Sequence, residues 1–272
     1  VVATKYTLTK PDARDPNSGG NSRKNMRQSV ERSLRRLQTD YLDILYLHMW
    51  DHFTPLEEIM RGLDDLVRSG TVNYIAISDS PAYIVSAANM LSELRGWARF
   101  IGLQIPYALN GRTPERELLP VAKYWDMALL PWGIIGGGVL TGKYTEVTNE
   151  PSRYDREETA ERIRQREQTL RIIEAVRLIA EEVGRSRAQV AIQWVRQQGD
   201  KAQIIPILGA RTVAQLEDNL GVLDWALTDE QLQRLDEASA ISMDFPHGFL
   251  DGNPYVYGAT FDLIDDHRGR RR

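Results

Sequence analysis

The chain has no cysteine in its 272 residues. Disulfides, thiolate metal sites and thiol nucleophiles are excluded by that fact alone. It also has no excess of basic charge: 34 Lys and Arg stand against 38 Asp and Glu, for a net charge of −4. A protein read by its charge as a nucleic-acid binder shows the opposite balance, so no nucleic acid is expected as a partner. The one basic run is "RGRRR" at Arg268–Arg272, which reads as a solvated tail. No apolar run reaches the length of a membrane span, so no membrane is expected either. There is no G-x-G-x-x-G, so the usual dinucleotide fingerprint is missing. "GGVLTGKY" at Gly137–Tyr144 does match G-x-x-x-x-G-K. It ends in tyrosine, where a phosphate-binding P-loop needs Ser or Thr for Mg²⁺. The absence of cysteine fits a cytoplasmic location.

What is present is an ordinary globular composition, 42% hydrophobic and 26% charged. Six short apolar runs are spaced along it: Val1–Thr4, Tyr41–Met49, Thr71–Ser78, Arg99–Ile105, Met127–Trp132 and Ala202–Leu208. Continuous apolar runs of this length suit parallel strands covered on both faces. Between them lie amphipathic segments with helix-start signals. "TPLE" at Thr54 reads as a capping box, with Thr54 as the cap. "TPER" at Thr113, "SRAQ" at Ser186, "TVAQ" at Thr212 and "TDEQ" at Thr228 also open helices. The helix around Val30, Leu34 and Leu37 carries Arg32, Arg35 and Arg36 on its wet side.

A strand–helix alternation at roughly 30-residue spacing predicts a parallel α/β sheet, open or closed. Six units do not close an eight-stranded barrel. If the fold is a barrel, two units are expected ahead of Val1, and Val1 opens the third strand. No composition break divides the chain. One domain over residues 1–272 is expected, with 242–272 as a C-terminal extension and basic tail.

In parallel α/β folds, function gathers where strands end. The polar residues there are Lys5, His48 with Asp51, Ser78 with Asp79, Gln104, Trp132 with its glycine loop, and Gly209 with Arg211. Alone, Lys5 also fits a snorkelling surface lysine, and His48 a hydrogen-bonded structural histidine. "ILGARTVAQLEDNL" at Ile207–Leu220 places an arginine beside a capped helix start, an arrangement suited to a phosphate.

These stretches together resemble the aldo-keto reductase family. The resemblance runs from Val1 to about Ala238. It rests on "TKY" at Thr4–Tyr6, "YLDILYLHMWD" at Tyr41–Asp51, "AISD" at Ala76–Asp79, "GLQIPY" at Gly102–Tyr107, "PWGIIGGGVLTGKY" at Pro131–Tyr144 and "GARTVAQLEDNL" at Gly209–Leu220. The texture is most similar to bacterial members of the branch that includes potassium-channel beta subunits.

The resemblance implies a (β/α)8 TIM barrel, with only six of its eight units evident here, binding NADP(H). It implies an NADPH-dependent oxidoreductase that reduces aldehydes or ketones, so the partner is a small carbonyl substrate. Of the family's Asp, Tyr, Lys and His tetrad, Lys5 matches the lysine and His48 the histidine. The Asp and Tyr belong to a segment ahead of Lys5. Tyr6 and Tyr46 lie nearby, but neither occupies the motif position. Ser78, Asp79 and Gln104 match the partners of the nicotinamide carboxamide. Asparagine is commoner where Asp79 stands. Trp132 matches the aromatic that stacks on the ring, and Gly133 and Ile134 stand where serine and proline are common. Gly136, Leu140 and Lys143 match the loop over the pyrophosphate. Gly209 ends the last strand, Arg211 matches the partner of the 2′-phosphate, and Gln215, Asp218 and Asn219 match the adenine end. A second reading is an NADP(H)-binding redox sensor or docking module without efficient turnover. Unpaired sheet edges would favour a homo-oligomer.

Overall fold

A computed structural model describes residues 1–9, 14–145, 155–164, 166–250 and 254–263. The chain separates into two compact units, Val1–Ser239 and Ala240–Arg272. The first holds every strand. The second carries two short helices, His247–Leu250 and Pro254–Tyr257, with Phe245, Phe249, Val256 and Tyr257 exposed. The basic tail Arg268–Arg272 lies outside the described residues.

In the larger unit the strands are β1 (Ala3–Tyr6), β2 (Leu42–Leu47), β3 (Val72–Ser78), β4 (Phe100–Pro106), β5 (Ala128–Trp132) and β6 (Gln203–Ile204). They form one parallel sheet in sequence order, β1-β2-β3-β4-β5-β6. The helices between them are α1 (Arg23–Leu37), α2 (Leu56–Arg68), α3 (Ala82–Arg95), α4 (Leu118–Tyr124), α5 (Arg156–Arg164), α6 (Glu167–Val183) and α7 (Arg187–Arg196); α8 (Val213–Leu220) and α9 (Asp229–Ser239) follow β6. This is six units of a (β/α)8 barrel.

The two faces of the sheet differ because side chains alternate along each strand. Leu45, Leu47, Ile75, Ile77, Leu103, Ile105 and Leu129 lie in the main core with the helices. Lys5, Tyr46, Ala76, Ser78, Gly102, Gln104 and Leu130 share the inner face. A Cβ on Gly102 would stand 3.1 Å from Leu130 Cδ1 and 3.7 Å from Ala76 Cβ, so glycine makes room there. The expectation that both faces are covered holds only in part. Tyr74, two residues before Ala76 on the inner face, is 57% exposed.

Three expectations shift. The first strand spans Ala3–Tyr6 rather than Val1–Thr4, so Lys5 lies inside it, opposite Tyr46. Thr54 does not cap α2: its hydroxyl donates to Asp51 Oδ2 at 2.7 Å, and Pro55 takes the cap position with no side-chain bond. Thr113 opens only a short 3-10 turn, with α4 beginning at Leu118. By contrast, Ser186 accepts from Gln189 N and Thr212 from Gln215 N, capping α7 and α8. Thr228 and Gln231 form a reciprocal capping box on α9.

Candidate active site

Parallel strands bring their C-terminal ends to one rim. Lys5 sits beside that rim on the inner face of β1, and Ser78 ends β3. Gln104 lies on β4 and pairs with Ser78 in register. These three meet directly: Lys5 Nζ donates to Gln104 Oε1 in a short hydrogen bond and approaches Ser78 Oγ at 3.5 Å. Tyr46 lies beneath the amine, with its ring centroid 5.4 Å from Nζ. Burial lowers the Lys5 pKa, and the nearby Asp79 carboxylate partly restores it.

His48 follows β2, and its backbone N–H donates to Tyr6 O at 3.1 Å. Burial lowers the pKa of its ring first, Lys5 lowers it further, and Asp79 acts against both. The imidazole is therefore held neutral in this setting, with one ring N–H to donate. Asp79 follows Ser78 with φ of +38°, a left-handed conformation that Asp tolerates better than most residues. Its N–H donates to Gln104 O at 3.3 Å. Its Oδ1 is buried and accepts no hydrogen bond. A buried acceptor without a donor is unfavourable until a donor arrives.

Asp51 belongs elsewhere. Its carboxylate accepts from Asn21 N, Phe53 N, Thr54 N and the Thr54 hydroxyl. Burial pushes its pKa up, but those bonds outweigh burial and hold it below the usual carboxylate value. It orders the loop between β2 and α2.

Trp132 ends β5 and is 39% exposed, an open aromatic face at the rim. The loop after it turns at Gly133, Gly136, Gly137 and Gly138, all with positive φ. Ile134 and Leu140 are buried in the main core. Their side chains anchor this loop, leaving backbone to face a ligand. A Cβ on Gly138 would collide with Lys143 Cε, so the lysine chain folds over that glycine. Arg187 on α7 donates to Thr141 O at 3.1 Å and ties the loop down. No helix starts directly after Lys143 among the described residues, unlike a P-loop.

Beyond β6, Gly209 leads into α8. Arg211 N–H donates to Gln215 Oε1 at 2.9 Å, and both residues are exposed. Asn219 Nδ2 donates to Gly209 O at 3.3 Å, holding the strand end against the helix. Asp218 accepts from the Ser186 hydroxyl at 2.7 Å and from Gln189 Nε2 at 2.9 Å. Its carboxylate ties α8 to α7. The structure thus brings Lys5, Ser78 and Gln104 into contact, with Asp79 raising the Lys5 pKa and Lys5 lowering that of His48. Arg211, Gln215, Asp218 and Asn219 form a second group around α8.

The Aldo/keto reductase family model matches residues 1–240. The chain belongs to this family. Its relatives carry oxidoreductase names. One named as a probable aryl-alcohol dehydrogenase of Saccharomyces cerevisiae is 34% identical over 262 residues, 94% of this chain and 79% of the relative. An aryl-alcohol dehydrogenase of Pestalotiopsis microspora is 34% identical over 263 residues, 95% of this chain and 66% of the relative. A norsolorinic acid reductase of Emericella nidulans is 35% identical over 258 residues, 93% of this chain and 64% of the relative. This aldo-keto reductase chain therefore spans about two thirds of the length of the latter two.

Tyr46, expected near Lys5, is placed by register directly opposite it. Reading the sequence by strand ends missed Asn110, which is found only in three dimensions: its side chain packs so close to Gly136 that a Cβ there would lie 2.7 Å from Nδ2.

Proposed function

We propose that the chain is an NADP(H)-dependent reductase of aldehydes or ketones, working on aromatic carbonyls or the matching aryl alcohols. The observation that carries this is the Lys5, Ser78 and Gln104 contact at the strand ends, with the unpartnered Asp79 Oδ1 beside it. A carboxamide NH2 would supply the donor that Oδ1 lacks. The exposed Trp132 face suits a stacked ring. The glycine turns and Lys143 suit a pyrophosphate, and the exposed Arg211 beside the capped start of α8 suits a 2′-phosphate. These residues fit NADP(H). The aromatic substrate class is argued from the relatives' names. The motif texture supports the branch that includes potassium-channel beta subunits and its bacterial members.

When bound, the nicotinamide supplies or accepts the hydride. Neutral His48 donates a ring N–H to the carbonyl oxygen and orients it. Lys5, fixed by Gln104 and Ser78, places positive charge beside the oxygen as negative charge develops there. Neither described phenol near Lys5 suits proton donation. The Tyr6 hydroxyl is buried without a partner, and burial, Asp51 and Glu58 push its pKa up. Burial also raises the Tyr46 pKa, and Gln104 only partly offsets it. A Lys-assisted acid needs the opposite shift.

That last observation favours a second reading, a cofactor-binding module without efficient turnover. Titrating NADPH fluorescence against the chain, then adding aromatic aldehydes, separates the two. Saturable binding with turnover supports the reductase. Tight binding without turnover supports the module. No binding overturns both. Arg211→Ala is expected to weaken NADPH about tenfold, or 1.4 kcal/mol, and to leave NADH unchanged.

A further inference from the structure

Thr7 has a backbone conformation that its own side chain disfavours. It follows Lys5 by two residues and comes beside His48, since Tyr6 pairs with Leu47 in register. Its φ is +114°, and among the described residues it is the one β-branched residue with a positive φ. Crowding at Cβ makes that region costly, so it persists only where the surroundings fix it. Here they do so from several sides. Thr7 O accepts from Gly20 N at 2.8 Å and from Asn25 Nδ2 at 3.3 Å. The buried Thr7 hydroxyl donates to Asn21 Oδ1 at 2.7 Å. The same oxygen accepts the His48 N–H at 3.3 Å, a donor shared with Tyr6 O at 3.1 Å. Asn21 N–H in turn donates to Asp51 Oδ2 at 2.7 Å. Asp51 also holds Phe53 N and Thr54 N, so it fixes the loop that leaves His48.

We infer that Thr7 is a positioning residue of this rim: its hydroxyl, oriented by Asn21, sets where His48 stands relative to Lys5. A hydroxyl has one proton to donate, and Asn21 Oδ1 takes it. The oxygen is thereby left as an acceptor, and His48 N–H is the donor that reaches it. The β1–β2 ladder ends with Tyr6 and Leu47. Thr7 carries the contact between the two strands one step further, onto the residue that follows β2. Through Asn21 and Asp51 it also joins the loop after β1 to the loop after β2. Thr7 acts through His48 and not on the reacting atoms. The consequence for turnover rests on the function proposed above. The hydrogen-bonded bracket does not.

The test uses the full chain with Thr7→Val, Thr7→Ser and Thr7→Gly. Valine keeps the branched shape and removes the hydroxyl; serine keeps the hydroxyl. Glycine removes the hydroxyl and adopts the positive φ freely, so it carries the test if Thr7→Val does not fold. In the first arm, the histidines are labelled with nitrogen-15, without cofactor, and the His48 amide is assigned by its loss in His48→Gln. Its proton resonance is expected to move upfield in Thr7→Val and Thr7→Gly, as a hydrogen bond is lost, and to return in Thr7→Ser. An unchanged resonance in either folded hydroxyl-free variant overturns the inference. In the second arm, turnover of an aromatic aldehyde and the dissociation constant of NADPH are measured on each protein. The hydroxyl-free variants are expected to lose on the order of tenfold in kcat, with NADPH affinity unchanged and with recovery in Thr7→Ser. Parallel losses in kcat and NADPH affinity would mark a collapsed rim rather than a displaced His48, and overturn the inference. So would an unchanged kcat. If the unaltered chain shows no turnover, the reductase reading fails, and the first arm decides the role of Thr7 by itself.

Discussion

Lys5, proposed to act beside the carbonyl oxygen, is poorly placed for stability. Its amine sits on the inner face of the sheet, where burial disfavours the charged form. The folded pKa lies below the unfolded one, so the folded state holds the proton less well. At neutral pH the ammonium therefore opposes folding, and the hydrogen bonds to Gln104 and Ser78 offset part of that. Lys5→Met is expected to be no less stable than the parent in urea at pH 7, while losing carbonyl turnover or nicotinamide-dependent binding. A marked loss of stability would show that its hydrogen bonds dominate. His48 gives the matching pH dependence. Its pKa is depressed in the fold, first by burial and then by Lys5. It favours folding above its unfolded value near 6.5, and that contribution fades as pH falls through the folded value. The stability difference between the parent and His48→Gln, followed from pH 7.5 to 5, is expected to shrink or reverse on the acid side. A difference that does not change with pH would remove the assignment. Both positions stand out in the sequence because a polar residue there follows an apolar run. Asp51 stands out for the same reason. Its position looked chemical, but its four hydrogen-bond donors make it a loop organiser.

At the scale of elements, the sequence was legible wherever a local rule was the whole story. The signals at Ser186, Thr212 and Thr228 form caps because each hydroxyl oxygen accepts a backbone N–H from the first turn of its helix, Ser186 doing so while its hydroxyl donates to Asp218. Thr54 does not cap because both its N–H and its hydroxyl are drawn into the Asp51 loop and the cap position falls on Pro55, which spacing alone does not reveal. Ser186→Ala should therefore cost about 1–2 kcal/mol, read by denaturation, and should loosen α8 through its bond to Asp218. Strand β1 was misplaced because the apolar signal stops at Ala3, while the hydrogen-bonded ladder continues through Lys5 to Tyr6. A charged residue on an inner face hides a strand from any hydrophobicity pattern. The network that secures α9 was not legible at all. Arg112 bonds Glu115 at 2.8 Å and 3.1 Å, the Asp236 carboxylate at 2.9 Å and the Ser239 hydroxyl at 2.9 Å. Glu115 also accepts from the Tyr107 hydroxyl at 2.6 Å and pairs with Lys201 at 3.2 Å. These partners span more than 120 residues, and no periodicity links them. Removing one member leaves the others buried and uncompensated. Glu115→Ala is expected to cost about 3–5 kcal/mol and to raise amide exchange in α9 selectively. Uniform exchange across the fold would argue against a local latch.

At the scale of the molecule, the strand order was legible because each unit packs mainly on its neighbours, and six runs gave six strands. What spacing could not show is how much of the inner face stays open. In the described sheet, β1 and β6 each pair on one side only. Beyond β6 the chain still bonds along β5, through Ile205 N–H to Leu129 O at 2.8 Å and Ile207 N–H to Pro131 O at 2.9 Å. This places Ile205 and Ile207 beside Leu130 and Trp132, on the inner face. There Ile205 is 49% exposed, Ile207 38% and Tyr74 57%. An open parallel edge beside exposed apolar side chains is a template for association. The 272-residue chain by itself is expected to self-associate, with a weight-average mass that rises with concentration in sedimentation or light scattering. If the inner face drives this, Tyr74→Lys with Ile205→Lys should shift the balance toward monomer, since two like charges on that face repel a second copy. If the edges drive it, the double variant should associate as before. Substituting Ala3→Pro would then act instead: Val2 O and Tyr6 O accept from Ile44 N and His48 N, so the even residues of β1 face β2 and Ala3 faces the open edge, where proline removes a donor. A monomer at all concentrations, with a sharp and reversible melt, would overturn both forms of the prediction. It would mean that the half-covered inner face is compatible with a stable single chain.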